Sequence, residues 1–151
     1  MNASKQFEKD FVDYIKANPI KIKSGIIYSF EWIFRTYYNE DQISAITTLL
    51  KLLQKYIKDD IIVQAILHTI SHFTYDDEIC DKFIIDLINL VHHENKVIKK
   101  FALKVFDNWN SIHTLKALKS ISPIKEEWLE EYRCDIIKRL ESLPSSLSYK
   151  A

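Results

Sequence analysis

The sequence predicts an all-α fold, built as a stack of about four helical hairpins. Three observations carry that expectation. The first is the near absence of glycine: the 151 residues hold one, Gly25, beside three prolines, Pro19, Pro123 and Pro144. β-Hairpins and phosphate loops need positions that tolerate positive φ, and this chain has almost none to give them. The second is a helical spacing of apolar residues that runs through nearly the whole chain. The third is the recurrence of similar helix starts every thirty to forty residues, the mark of a helical repeat.

The elements follow in order. Phe7, Phe11, Tyr14 and Ile15 make a first apolar stripe. Ile22, Ile26, Phe30, Ile33 and Phe34 make a second. Ile43, Ile46, Leu50 and Leu53 make a third, with Asn39 as its expected cap and Gln42 three residues on. Asp59 and Asp60 open a fourth, which carries Ile61, Ile62, Ala65, Ile66, Thr69 and Phe73. Ile79, Phe83, Leu87 and Val91 make a fifth, and Val97, Phe101, Ala102, Val105 and Phe106 a sixth. A short seventh spans Ile112–Leu118 behind Ser111. The eighth is expected to begin at Ser122, with Pro123 in its first turn, and carries Trp128, Leu129, Tyr132, Ile136 and Leu140. Residues 1–143 read as one domain and residues 144–151, opened by Pro144, as a short disordered tail.

Hydrophobic residues make up 47% and charged residues 28%, which suits a folded, soluble chain. "GIIYSFEWIF" is the most apolar stretch and Glu31 interrupts it, so no membrane span is expected. The N-terminus mixes Lys5, Glu8, Lys9 and Asp10 and does not read as a signal peptide, which points to the cytoplasm. Cys80 and Cys134 are expected as reduced, packed thiols. Net charge is zero, but residues 59–95 carry eight acids against Lys82, and residues 96–122 carry six lysines against Asp107. Opposite blocks side by side predict a polar molecule.

"IKIKSGI", "DIIVQAI", "KVIKKFA" and "EWLEEYR" align when Ile22, Ile61, Val97 and Trp128 correspond. The stretch Asn18-Pro19-Ile20-Lys21-Ile22-Lys23 is similar to the Asp-Pro-x-x-Val-Arg signature of HEAT repeats, and Glu94-Asn95-Lys96-Val97 and Asp59-Asp60-Ile61 are looser versions. The chain resembles HEAT-like proteins over nearly its whole length. That resemblance implies an α-α superhelix of the HEAT or armadillo kind, with second helices lining a concave face. It implies a ladder across that face from Trp32 through Gln64, His68 and Ser71 to Lys100 and Lys104, and on to Glu127 and Glu131.

For function, the expectation is a non-catalytic module that binds another protein. Tyr28, Trp32 and Arg35 lie away from the stripe of helix two and are the residue types that anchor interfaces. Asp76, Asp77 and Glu78 in the acidic block would meet a basic partner. "EEWLEEYRCDIIKRLE" after "NWNSIHTLKALKSI" looks similar to the C-terminal pieces of HEAT-like immunity proteins of bacteria. It implies an inhibitor of a basic toxin domain, with a scaffold subunit as the alternative. A nucleic-acid-binding reading rests on Lys96, Lys99, Lys100, Lys104, Lys116 and Lys119, and the neutral overall charge weighs against it.

No cofactor or metal is expected, although two places invite one. His92, His93 and Glu94 fall at a turn between helices. His68 and His72 are four apart on one helix face, a spacing that holds zinc, but the sequence offers no evident third ligand. Asp107, Ser111 and His113 lack the glycine elbow of a hydrolytic triad.

Overall fold

The computed structural model describes residues 2–18, 28–73 and 77–144. Eight α-helices account for most of them, and there is no strand among the described residues. The chain divides into two compact units, residues 1–69 and 70–151. The division falls within the fourth helix.

The first unit contains α1 (Ala3–Ala17), α2 (Ser29–Glu40), α3 (Gln42–Lys55) and the greater part of α4 (Asp60–Ser71). Asn2 caps α1 by accepting the Lys5 N–H at 2.9 Å. The expected stripe is buried: Phe7, Phe11, Val12 and Ile15. Aromatic rings knit α1 to α2. Phe7 packs against Phe34 at 5.6 Å and stacks on Tyr37 at 5.3 Å, and Phe11 meets Phe30 edge-on at 5.9 Å. Such pairs add about 0.5–1.5 kcal/mol each to the burial of the rings. A single residue, Asp41, separates α2 from α3, and its carboxylate accepts both the N–H and the hydroxyl of Ser44. The cap of α3 is therefore Asp41. Asn39, the expected cap, lies inside α2 because that helix runs on to Glu40 before it breaks. Asp59 accepts the Ile62 N–H at 3.2 Å at the start of α4, as its position predicts.

The second unit contains α5 (Asp77–Leu90), α6 (Lys96–Trp109), a 3-10 turn (Ile112–Thr114) running into α7 (Leu115–Ser120), and α8 (Glu127–Glu141). Asn95 caps α6 through Val97 N–H and Ile98 N–H, and Ser111 caps the 3-10 turn through His113 N–H. Helix α6 ends at Asn110, whose φ of 49° is left-handed. Asparagine tolerates that region better than other residues with a side chain.

Helix α8 starts at Glu127 rather than Ser122. Ile121 and Ile124 are both buried, and the Ile124 N–H is held by the Glu130 carboxylate at 3.1 Å. Those tertiary contacts keep residues 121–126 out of the helix although Pro123 would suit a first turn. On α6 the buried arc takes in Ile98 and Lys99 and leaves Val97 41% exposed, a rotation from the expected centre. Ile61 and Trp128, aligned with Val97 by the repeat, are exposed as well. All three are the second residue of their helix, so the alignment finds equivalent positions on the surface and not in the core. Residues 19–27, which include Gly25 and the aligned Ile22, and residues 145–151 of the expected tail lie outside the described residues.

Candidate functional site

The first turn of α2 carries the residues that sequence singled out, and it turns neighbours in opposite directions. Glu31 is completely buried, while Trp32 beside it is 59% exposed. The Arg35 guanidinium lies over the Trp32 ring, 5.9 Å from its centre. Tyr28 is used differently from expectation. Its ring stacks on Phe30 at 5.4 Å and meets the His68 ring edge-on at the same distance, so it serves packing within the first unit. Its backbone N–H donates to Glu31 Oε2 at 2.8 Å.

The expected ladder on α4 is corrected: Gln64, His68 and Ser71 are all buried. The helix is apolar nearly all round, with Ile62, Val63, Ala65, Ile66, Leu67 and Ile70 also inside, so the wheel has no wide polar face to present. His68 Nε2 stands 3.7 Å from Glu31 Oε2, and both side chains are shut away from water. His72 lies just beyond the end of α4 and is partly exposed. Sequence singled out His68. It missed Glu31, which reads only as an interruption in an apolar run.

On α6, Lys100 and Lys104 are half-buried. The Lys100 ammonium sits 5.5 Å from the Phe101 ring centre, and Lys104 lies 3.7 Å from Asp107. Asp76 lies outside the described residues. Asp77 and Glu78 begin α5, and their side chains are outside the description.

A polar cluster that sequence did not anticipate joins α6 to α8. Asp107 accepts the Tyr132 hydroxyl at 2.6 Å and pairs with Arg139 at 2.6 Å. Arg139 also donates to the Asp107 carbonyl and to Asn110 Oδ1. Burial pushes the Asp107 carboxyl up, but the hydrogen bonds from Tyr132 and Arg139 and the charges of Arg139 and Lys104 outweigh it. The group is held below the ordinary carboxylate value. Burial and the bond to Asp107 push the Tyr132 hydroxyl far above its usual value. The hydroxyl is held as a donor to Asp107.

Arg133 makes a second clamp. It grips Glu130 with two bonds, at 2.8 and 2.6 Å, and donates to the Leu118 carbonyl in the last turn of α7 at 2.9 Å. Lys99, buried, reaches Glu126 at 2.6 Å.

The turn after α5 is a joint. His93 Nδ1 accepts the Asn95 N–H at 2.9 Å, His92 Nε2 sits 3.2 Å from the Ser122 hydroxyl, and Glu94 is exposed. The triad candidates are likewise engaged elsewhere: Ser111 caps the turn that holds His113, and Asp107 belongs to the α8 cluster. Cys80 is buried and Cys134 half-buried, and neither forms a disulfide. No described helix is long and apolar enough to cross a membrane. The chain matches no protein-family model, no curated protein and no solved structure.

Proposed function

We propose that the chain is a non-catalytic, HEAT-like α-α repeat that binds another protein through the exposed end of α2. The observation that carries this reading is Trp32, 59% exposed with Arg35 laid across its ring. A large aromatic held ready by a guanidinium is a typical hot spot, worth about 2 kcal/mol or more when a partner buries it. The concrete candidate is a cytoplasmic immunity protein that neutralises a basic toxin domain, with the acidic residues of 59–95 speeding encounter. The alternative is a scaffold subunit.

Three of the six lysines behind the nucleic-acid reading face acids on their own unit: Lys99 on Glu126, Lys104 on Asp107 and Lys119 on Glu141. Phosphates would have to compete with those carboxylates. This favours a protein partner.

The test is capture of a partner by the full chain and by Trp32→Ala and Arg35→Ala, each confirmed folded by circular dichroism. Tyr28 is left intact because it packs inside the unit. The Trp32 variant should bind about 30-fold more weakly, the equivalent of that ~2 kcal/mol. Equal binding by both variants removes α2 as the anchor. Retention of duplex instead, weakened by salt and by Lys100→Glu with Lys104→Glu, would move the function to α6.

A further inference from the structure

We infer that the outward face of α8 around Trp128 is a docking site for an arginine-bearing segment of another protein. Trp128 is 51% exposed, and among the described residues no ring and no cation packs on it. The other two tryptophans are provided for. Trp109 is buried and donates to the Ile70 carbonyl, and Trp32 carries the Arg35 guanidinium over its ring at 5.9 Å. Arg35 stands three residues beyond Trp32 on α2. On α8 the residue three beyond Trp128 is Glu131, and Asp135 lies one turn further. The helix therefore sets acids, not a cation, beside this ring.

The pairing of charges on α8 points the same way. Glu126, just before the helix, pairs with Lys99, Glu130 with Arg133 and Glu141 with Lys119. Glu127, Glu131 and Asp135 are exposed, and their carboxylates make no ion pair or hydrogen bond among the described residues. Lys125 and Lys138 bracket them in sequence and leave the stretch net negative. A bare indole among unpaired carboxylates is complementary to a cation that can use both.

Arginine meets that demand better than lysine. Its planar guanidinium lies flat on an indole while its N–H edge forks onto a carboxylate. Arg35 on Trp32 shows the first half of that arrangement within this chain. Glu127 and Asp135 are eight residues apart, about 12 Å along a helix. That length matches about four residues of extended chain, so the occupant is a peptide segment with more than one cation. The face uses no residue of α2, so it can fail while the reading built on Trp32 stands, and the reverse.

The experiment follows the anisotropy of a fluorescein-labelled hexaarginine peptide titrated with the full chain, with hexalysine of equal charge beside it. Hexaarginine should bind more tightly than hexalysine. Trp128→Ala, at an exposed position and checked for folding by circular dichroism, should weaken hexaarginine by about 5-fold and remove most of its advantage. Glu131→Gln with Asp135→Asn should weaken both peptides by about 3-fold and flatten their salt dependence. Trp32→Ala and Asp10→Asn, both in the first unit, should change nothing. Equal affinity in folded Trp128→Ala, equal binding of the two peptides, or a loss seen only in Trp32→Ala would each overturn the site. Self-association of the full chain that Trp128→Ala abolishes, with no peptide bound, would assign the face to a second copy and overturn it as well.

Discussion

The two units solve the same packing problem by different means. In the first, α1 and α2 are joined by rings: Phe7, Phe11, Phe30, Phe34 and Tyr37 contact one another with no charge among them. Two of its ion pairs, Lys9 with Asp13 and Lys55 with Glu8, are largely exposed and contribute little. In the second, α6, α7 and α8 are tied by Asp107 with Tyr132 and Arg139, by Arg133 with Glu130, and by buried Lys99 with Glu126. A ring lattice is tolerant of direction, whereas a clamp fixes one register and fails if one partner is lost. The first unit should therefore answer to lost volume and the second to lost charge.

The sharpest break comes from Phe34, which has no exposed surface. Phe34→Ala should cost about 3–5 kcal/mol through lost burial and the cavity left behind. Denaturant unfolding with amide exchange would read it, and the loss of protection should be greatest in residues 2–18 and 28–69. Protection lost equally in α8 would merge the two behaviours.

Next comes Arg133→Met, which keeps volume and removes the fork. Glu130 and the Leu118 carbonyl lose their donors, so about 2–3 kcal/mol should go, as for hydrogen bonds to charged groups. A stability change near zero in urea would reduce this clamp to decoration.

Acid should then separate the units. Asp107, Glu126 and Glu130 all sit below their ordinary values in the folded chain, for hydrogen-bonding and charge reasons given by Tyr132, Arg139, Lys99 and Arg133. A depressed carboxyl stabilises the fold above its unfolded pKa, about 4, and that stability is lost as pH falls through the lower folded value. Exchange protection in α6 and α8 should therefore fade from about pH 4 downward. In the first unit Asp41 is lowered by its bonds to Ser44, but it is an exposed helix cap, so the ring lattice should outlast the clamps. Simultaneous loss in both units would contradict the contrast.

The smallest effect is expected from Tyr132→Phe. It removes one donor to a charged carboxylate, about 1.5 kcal/mol, and leaves Arg139 in place. Carboxyl NMR should show the Asp107 titration moving upward toward the ordinary value.

Much of the helical pattern was legible because it is local. Phe7, Phe11 and Ile15 recur with the turn of a helix, and Ser111 announces its own cap. Local signals also misled where two candidates competed. Asn39 and Asp41 are both capping types, and only the extended backbone of Asp41 decides between them. Pro123 suits a helix start, but burial of Ile124 overrides it. The candidate site was half legible. His68 sits on a helix that its own spacing reveals, whereas Glu31 becomes its neighbour only when α2 is set beside it. Lys99 likewise looks like one more surface lysine until Glu126 is found next to it. Charges whose meaning depends on a distant partner carry no mark of it in the sequence.

The chain has eighteen lysines and three arginines, Arg35, Arg133 and Arg139. Each arginine sits where a planar group is needed: across the Trp32 ring, astride Glu130, or forked into the end of α6. Lysine serves wherever charge alone suffices. The two residue types thus divide the molecule into a replaceable coat and a few fixed joints, and a covalent label can tell them apart. An acylating reagent aimed at amines should decorate the coat, spare enclosed Lys99 and leave the helices standing. A dicarbonyl aimed at guanidinium groups should find very few targets, and its reaction at Arg133 should wait for the second unit to open. The rate of that reaction then becomes a clock for local unfolding.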